Sequence, residues 1–106
     1  MAKYLIRGNY VGDGIAGLMN EGGTSRRNAA EAAVASVGGT LESMYFAFGD
    51  TDVYAICDID DAASAAAVSL LISSSGNVQI SLTPLLTAED LDAASQKSPS
   101  YRAPGS

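Results

Sequence analysis

The sequence offers few side chains that can do chemistry, and the two most versatile types are scarce. Histidine is absent and cysteine occurs once, at Cys57. This excludes His-based triads, His metal sites, a proximal-His haem and metal clusters made within one chain. We therefore expect no cofactor and no metal. Cys57 falls in the middle of a predicted strand, where a thiol usually fills the core.

Arg7 and Asp58 form the most suggestive pair. Alternation along two predicted strands puts both on one face of the sheet. Because buried charges persist when they are paired, one interpretation is a structural ion pair, either across a dimer or within one chain. The other is a polar end to an otherwise apolar pocket, in which Asp58 would serve as a general base. The candidate ligand-binding residues on this face are Arg7, Asn9, Phe46, Tyr54, Asp58 and Gln79.

Two further patterns have ordinary structural explanations. Asp60 and Asp61 are able to help bind a hard cation, but they stand where a helix begins, and carboxylates there cap it. Gly12, Gly14 and Gly17 form a GxGxxG string after a strand. A dinucleotide site also needs a sound helix and an acidic residue on a second parallel strand. We see neither, so we predict no dinucleotide site.

The elements that must position these residues follow the order β, α in two pieces, β, β, α, β, α. Thr24 or Ser25 would cap the second helical piece, and Thr87 with Asp90 resembles a capping box. This order predicts a split-βαβ, ferredoxin-like plait of the α+β class, with the helices on one face of a four-stranded antiparallel sheet. The strands are predicted over residues 3–10, 41–48, 52–59 and 78–83, and the main helices over 26–37, 62–73 and 88–96.

The face without helices is predicted to be too apolar to stay bare. Soluble monomers rarely expose a continuous apolar patch of more than a few hundred Å². The sequence therefore predicts a two-fold dimer whose sheets pack face to face around a barrel-like space. The alternative is that the last helix folds back over the face. The apolar residues assigned to this face are Leu5, Met44, Phe46, Phe48, Tyr54 and Ile56.

Charge and composition narrow the classes of partner. The chain has 106 residues, 47% hydrophobic, and a formal net charge of -6 with only six Lys and Arg. A phosphate-binding surface needs clustered cations, so we expect neither nucleic acid nor an anionic membrane as a partner. The longest apolar stretch, residues 62–72, is shorter than the roughly 20 residues that span a bilayer.

The single thiol cannot form an internal disulfide, which favours a reducing compartment. Lys3 and Arg7 interrupt the apolar N-terminal residues, so no signal peptide is expected. Together these features predict a soluble, cytoplasmic protein.

The chain carries five segments in a recognisable order, namely Gly38-Gly39, Tyr45 to Val53, Asp58 to Asp61, Ser75 to Val78 and Leu86 to Asp90. Through them it resembles the GYD-domain family from about Lys3 to Gln96. The resemblance implies a dimeric α/β-barrel arrangement of ferredoxin-like plaits. The domain is predicted over residues 1–97, and Pro99, Pro104 and Gly105 favour a disordered tail over 98–106. The resemblance implies no reaction, and the tyrosine of the eponymous motif is replaced by Thr51.

Two functions remain open at this point. One is a homo-oligomer that binds a small organic molecule at the uncovered sheet face, with or without catalysis. The other is a structural or regulatory oligomerisation module in which charged residues only lock the interface.

Overall fold

The computed structural model describes residues 2–106, and the predicted order of elements is confirmed. β1 begins the chain and two short helices lead to the β2–β3 hairpin, after which α3, β4 and α4 follow. The bounds are β1 Ala2–Tyr10, α1 Gly14–Glu21, α2 Gly23–Ala35, β2 Thr40–Phe46, β3 Val53–Ile59, α3 Ala62–Ser74, β4 Val78–Leu85 and α4 Ala88–Ser95.

The four strands form one sheet in the order β2-β3-β1-β4, with every neighbouring pair antiparallel. α2 packs against β2, and α3 packs against β4 and β3. Both long helices cover the same face, because Cys57 and Ala55 of β3 are buried in one cluster with Val34 of α2 and Val68 of α3. The ferredoxin-like plait is therefore confirmed.

Helix starts follow local capping chemistry in two places and depart from it in one. Asp61 caps α3 by accepting from the Ser64 backbone N–H at 2.7 Å, and Thr87 and Asp90 form the predicted capping box of α4. The prediction of a Thr24 or Ser25 cap for α2 was wrong. Gly22, with φ of +88°, ends α1 and is also the residue just before α2. α2 therefore begins at Gly23, ahead of Thr24 and Ser25.

The core lies between the helices and the covered face of the sheet. The largest fully buried side chains are Val34, Cys57, Ile59 and Val68. The backbone after α2 packs closely against β3 at Gly39, where a Cβ would lie 2.7 Å from the Asp58 carbonyl oxygen. Within residues 2–106 no polar or charged side chain is buried. One chain thus completes this face with apolar contacts alone.

The opposite side of the sheet, which we call the open face, differs from the prediction along β2. A β-bulge between Leu41 and Ser43 inserts one extra residue, Glu42, and shifts the alternation by one position. Met44 therefore packs against the helix-covered core, and Phe46 contacts Gly23 of α2.

The placement of Met44, Phe46 and Phe48 on the open face was wrong. Phe48 lies beyond β2 and is fully exposed. Tyr45, which is absent from the predicted open face, lies on it opposite Tyr54. The apolar part of the open face is thus smaller than predicted, with Leu5, Ile56, Tyr45 and Tyr54 at its centre.

The last residues do not cover the open face. Every residue from Leu86 to Ser106 is exposed, and α4 makes at most marginal contact with the other helices and strands of residues 2–106. Residues 98–106 contain no helix or strand, and their predicted disorder stays a prediction. The alternative in which the last helix folds back over the sheet was therefore wrong for this chain.

Candidate functional site

The open face is organised in rows, because antiparallel partners lie directly opposite one another. One end row holds Lys3 opposite Asp58, and the next holds Leu5 opposite Ile56. The third row runs across all four strands and contains the arginine predicted from the sequence. In order across the sheet this row is Ser81, Arg7, Tyr54 and Tyr45.

The Lys3 end of the open face carries a complete ion cluster. Lys3 Nζ donates to Glu42 Oε2 at 2.9 Å and to Asp58 Oδ1 at 3.2 Å. These hydrogen bonds, with Glu42 first and Asp58 second, raise the pKa of Lys3 above 10.5. The bulge at Glu42 is what brings a second carboxylate to this lysine, and sequence patterns gave no sign of it.

The pairing of Arg7 with Asp58 was wrong within one chain, whereas a pair across the dimer stays a prediction. Arg7 lies opposite Tyr54, whereas Asp58 lies opposite Lys3, four residues away along β1. At about 3.3 Å per residue that separation is roughly 13 Å, too far for an ion pair. Asp58 is instead held by Lys3. Among the residues that the structure describes, Arg7 makes no ion pair and its residue is exposed.

A shallow cleft of about 350 Å³ lies beside Arg7 on the open face. It brings together three of the predicted binding residues, Arg7, Asn9 and Gln79. Tyr54 stands next to it in the row through Arg7, while Phe46 and Asp58 lie elsewhere. The cleft is lined by Arg7, Asn9, Thr51, Gln79, Ile80 and Ser81.

The loop between β2 and β3 forms one wall of the cleft and is fixed by hydrogen bonds to β1. Asp52 donates its backbone N–H to Asn9 Oδ1 at 3.1 Å, and its carboxylate accepts from the Tyr10 N–H at 3.0 Å. Asn9 therefore uses its side-chain oxygen structurally and keeps its amide NH₂ for other partners. Thr51, the residue before Asp52, lines the cleft. Sequence reasoning missed Thr51 and Ser81 as cleft residues.

The cysteine and the glycine string that the sequence singled out lie in packed parts of the fold, away from the cleft. Cys57 is fully buried, and burial first and the nearby Asp58 second raise the pKa of its thiol above 9.0. Gly14 packs so tightly on the Asn77 carbonyl that no Cβ would fit. All strand pairs are antiparallel, which is not the parallel βαβ unit that dinucleotide binding needs. Residues 2–106 hold no cluster of three or more metal-ligating side chains of the acidic, Cys or His types.

A second cavity, which sequence analysis missed, lies on the helix side between α1, α2 and the start of β4. It measures about 170 Å³ and includes Tyr10, Glu21, Arg26 and Asn77 in its lining. Arg26 Nε is buried without a hydrogen-bond partner among the described residues, and Arg26 Nη1 lies 3.7 Å from Glu21 Oε2. The acidic side chains around it make this cavity a poorer anion site than the cleft at Arg7.

Comparison with protein families identifies the chain. The family model described as the GYD domain matches residues 4–94 of the 106. The chain belongs to the GYD-domain family. The comparisons with curated proteins and with solved structures gave no significant match. No helix of this GYD domain within residues 2–106 is long and apolar enough to cross a membrane.

The segment that resembles the eponymous motif of the GYD domain is the loop at the cleft. Gly49 to Asp52 connects β2 to β3, Thr51 lines the cleft, and Asp52 ties the loop to Asn9 and Tyr10. The cleft at Arg7 and the family's motif therefore occupy the same end of the open face.

Proposed function

We propose that two copies of this GYD domain pair through their open faces and hold a small organic anion at Arg7. The single observation that carries this proposal is the exposed, unpaired guanidinium of Arg7 in a cleft whose other lining residues are mostly polar. Arginine recognises carboxylate and phosphate oxygens through a planar fork of donors.

The composition of the cleft supports an oxygen-rich ligand. Gln79, Ser81 and Thr51 add amide and hydroxyl groups, and Asn9 keeps a free NH₂. Ile80 is the only apolar lining residue, while Tyr45 and Tyr54 extend the row beyond Arg7. The proposed ligand therefore has an anionic group at Arg7 and an apolar or aromatic part over the tyrosines.

The shallowness of the cleft supports pairing of two copies. Binding sites usually bury 70–90% or more of a small ligand's surface, and one open sheet face leaves most of a ligand in water. Tyr45 is 72% exposed and Tyr54 is 40% exposed. A second open face would cover these rings and close the cleft at the same time.

The surroundings of Asp58 favour binding over catalysis. A general base has to reach the proton that it removes, directly or through one water. Asp58 is held by Lys3 at the other end of the face, roughly 13 Å along the strands from Arg7. We therefore place the ligand's anionic group at Arg7 and give Asp58 a structural role.

The second candidate is an oligomerisation module that binds no ligand. The observation in its favour is that apolar side chains are also exposed outside the open face, including Met19 on α1 and Leu70 and Leu71 on α3. In that case Arg7 would serve only the contact between copies.

The test begins with sedimentation equilibrium and native mass spectrometry of the purified protein. Benzoate and inorganic phosphate are then titrated into ¹⁵N-labelled protein, and backbone shifts near Arg7 are followed. Arg7→Gln is expected to weaken benzoate binding about tenfold to a hundredfold, because a charge-assisted bond contributes about 1.5–3 kcal/mol. Arg102→Gln, which removes the same charge from the C-terminal residues, is the matched control.

Unchanged benzoate binding in Arg7→Gln would contradict the anion site. A dimer that binds neither probe would favour the oligomerisation module, and a monomer at millimolar concentration would remove both candidates.

A further inference from the structure

The C-terminal arm, which we define as residues 86–106, stands away from the rest of the chain. All of its residues are exposed. The radius of gyration is 16.8 Å and the longest dimension is 56 Å, whereas a compact domain of about 100 residues has a radius of gyration of about 13 Å. The arm is therefore a projecting segment whose contacts have to come from elsewhere.

The helix in this arm, α4, has the features of a docking helix. It has eight residues and a complete capping box, yet isolated helices shorter than about 12–15 residues are marginal in water. Leu91 lies on one side with Ala88 and Ala94, three residues away in each direction, and Asp90 and Asp92 flank that side. Leu91 is 61% exposed, and Leu86, just before the cap, is 68% exposed. Such a helix becomes stable when its apolar side is covered.

A shallow groove lies between α2 and the edge strand β2. It measures about 310 Å³, and Gly23 opens it by leaving the ring of Phe46 without a covering side chain. Phe46 is 40% exposed although it points toward the helices. Arg27 is the only charged residue in the lining and makes no ion pair with any described residue. The groove is lined by Gly23, Thr24, Arg27, Met44, Tyr45 and Phe46.

We propose that α4 of a second copy of this chain docks in the groove between α2 and β2. Leu86 and Leu91 would pack on Met44 and Phe46, and Glu89 or Asp92 would pair with Arg27. Charge complementarity supports this occupant, because α4 carries three carboxylates and no basic residue. Glu31, one turn beyond Arg27 in a neighbouring depression, would orient the acidic helix toward the Arg27 end.

The occupant has to come from another copy. The arm leaves the sheet from β4, which is the edge opposite β2, and three strand spacings separate the two edges by roughly 14 Å. From there α4 projects into solvent without folding back. Two-fold symmetry would let each copy insert its arm into the other. The inference shares with the proposed function only the association of copies and does not need the site at Arg7.

The test detects the arm on the neighbouring molecule. A nitroxide is attached to Ser95→Cys, and the labelled protein is mixed with an equal amount of ¹⁵N-labelled protein without nitroxide. Cys57 is fully buried and stays unlabelled. The expected result is line broadening in the ¹⁵N copy at residues 23–27 and 44–46. Broadening at other residues only, or no broadening between molecules, would overturn the proposal.

Substitutions then test the chemistry of the contact. Leu91→Asp is expected to weaken the association that produces this broadening about tenfold to a hundredfold, in line with the loss of one buried leucine. Leu70→Asp on α3, where the side chain is 71% exposed, is the matched control and should leave it unchanged. Arg27→Glu should reduce the broadening, and adding Glu89→Arg and Asp92→Arg should restore it.

These substitutions lie on exposed positions, so folding is not at risk. An Arg27→Glu variant that broadens as the wild type does would contradict the proposed orientation and overturn the groove. If the unsubstituted, nitroxide-labelled protein gave no such broadening but still bound benzoate at Arg7, this inference would fail while the proposed function stood.

Discussion

The two faces of the sheet differ in how far one chain can complete them. On the covered face, Cys57 and Ile59 are fully excluded from solvent and pack with Val34 and Val68. On the open face, Arg7 is exposed and Tyr54 is 40% exposed. The same strands supply both sets of residues in alternation. The difference therefore comes from what covers each face, and it separates residues that hold the fold from residues available for binding.

The open face itself repeats this contrast between its two ends. At one end Lys3 holds two carboxylates within 3.3 Å, so its positive charge is already paired. At the other end Arg7 has no carboxylate and lines a cleft. A charged side chain that is already satisfied indicates structure, and one that is left unpaired beside a cleft indicates a binding site.

The largest expected effect comes from the covered face. Ile59→Ala should lower the free energy of unfolding by about 2–5 kcal/mol, because it removes buried methyl groups and leaves a cavity. Ile56→Ala on the open face, where the side chain is only half-buried, should cost clearly less in dilute protein. Urea unfolding followed by circular dichroism measures both. Equal losses for the two variants would mean that the faces are equally covered in solution.

The next effect concerns the pairing of open faces. Tyr54→Asp would remove an aromatic ring from the centre of the proposed contact and place a carboxylate beside Arg7, which lies opposite it, so we expect about tenfold to a hundredfold weaker association. Its unfolding free energy should fall by about 1–2 kcal/mol under conditions where the protein is monomeric, because Tyr54 is partly covered in β3 and Asp is a poor strand former. Sedimentation equilibrium measures the association.

Tyr101→Asp is the matched control for this prediction, since Tyr101 is 80% exposed in the tail. It should associate as the wild type does. If Tyr54→Asp also left association unchanged, the contact between copies would lie on another surface, such as the groove between α2 and β2.

Sequence patterns were sufficient for the fold because most elements obey simple periodicity. Strict alternation in β4 and the small residues of α3 predicted their bounds to within two residues, and Thr87 and Asp61 marked the helix starts. β2 failed for a definite reason. The alternation rule assumes that each residue of a strand lies opposite one residue of its neighbour. The bulge adds Glu42 to β2 as an extra residue, and no glycine or proline indicates it in the sequence.

The candidate site was only half predictable for a related reason. Alternation sorts residues onto faces, so Arg7, Asn9, Tyr54 and Gln79 were placed correctly on the open face. It does not give the register between β1 and β3, because no tight turn connects these strands. The register decides that Arg7 meets Tyr54 while Asp58 meets Lys3. Which charges pair is thus a property of the folded sheet.

The smallest expected effect is a loss of stability at alkaline pH, to which the two faces contribute at different pH values. Burial raises the pKa of Cys57 above 9.0 on the covered face, and the hydrogen bonds that Lys3 donates to Glu42 and Asp58 raise the pKa of Lys3 above 10.5 on the open face. A raised folded-state pKa gives stability that is complete below the unfolded pKa and is lost above it. The unfolding free energy should therefore begin to fall near pH 9 as Cys57 ionises in the unfolded chain.

One titrating thiol limits this first slope to about 1.4 kcal/mol per pH unit. Cys57→Ala should flatten the decline between pH 9 and 10.5, because the remaining contribution of Lys3 begins only above that range. Lys3→Gln should leave the first decline in place and flatten the second. Urea midpoints measured across this pH range distinguish the two contributions. A decline in Cys57→Ala that still began at pH 9 would show that a group other than the Cys57 thiol causes the loss of stability, and would contradict this prediction.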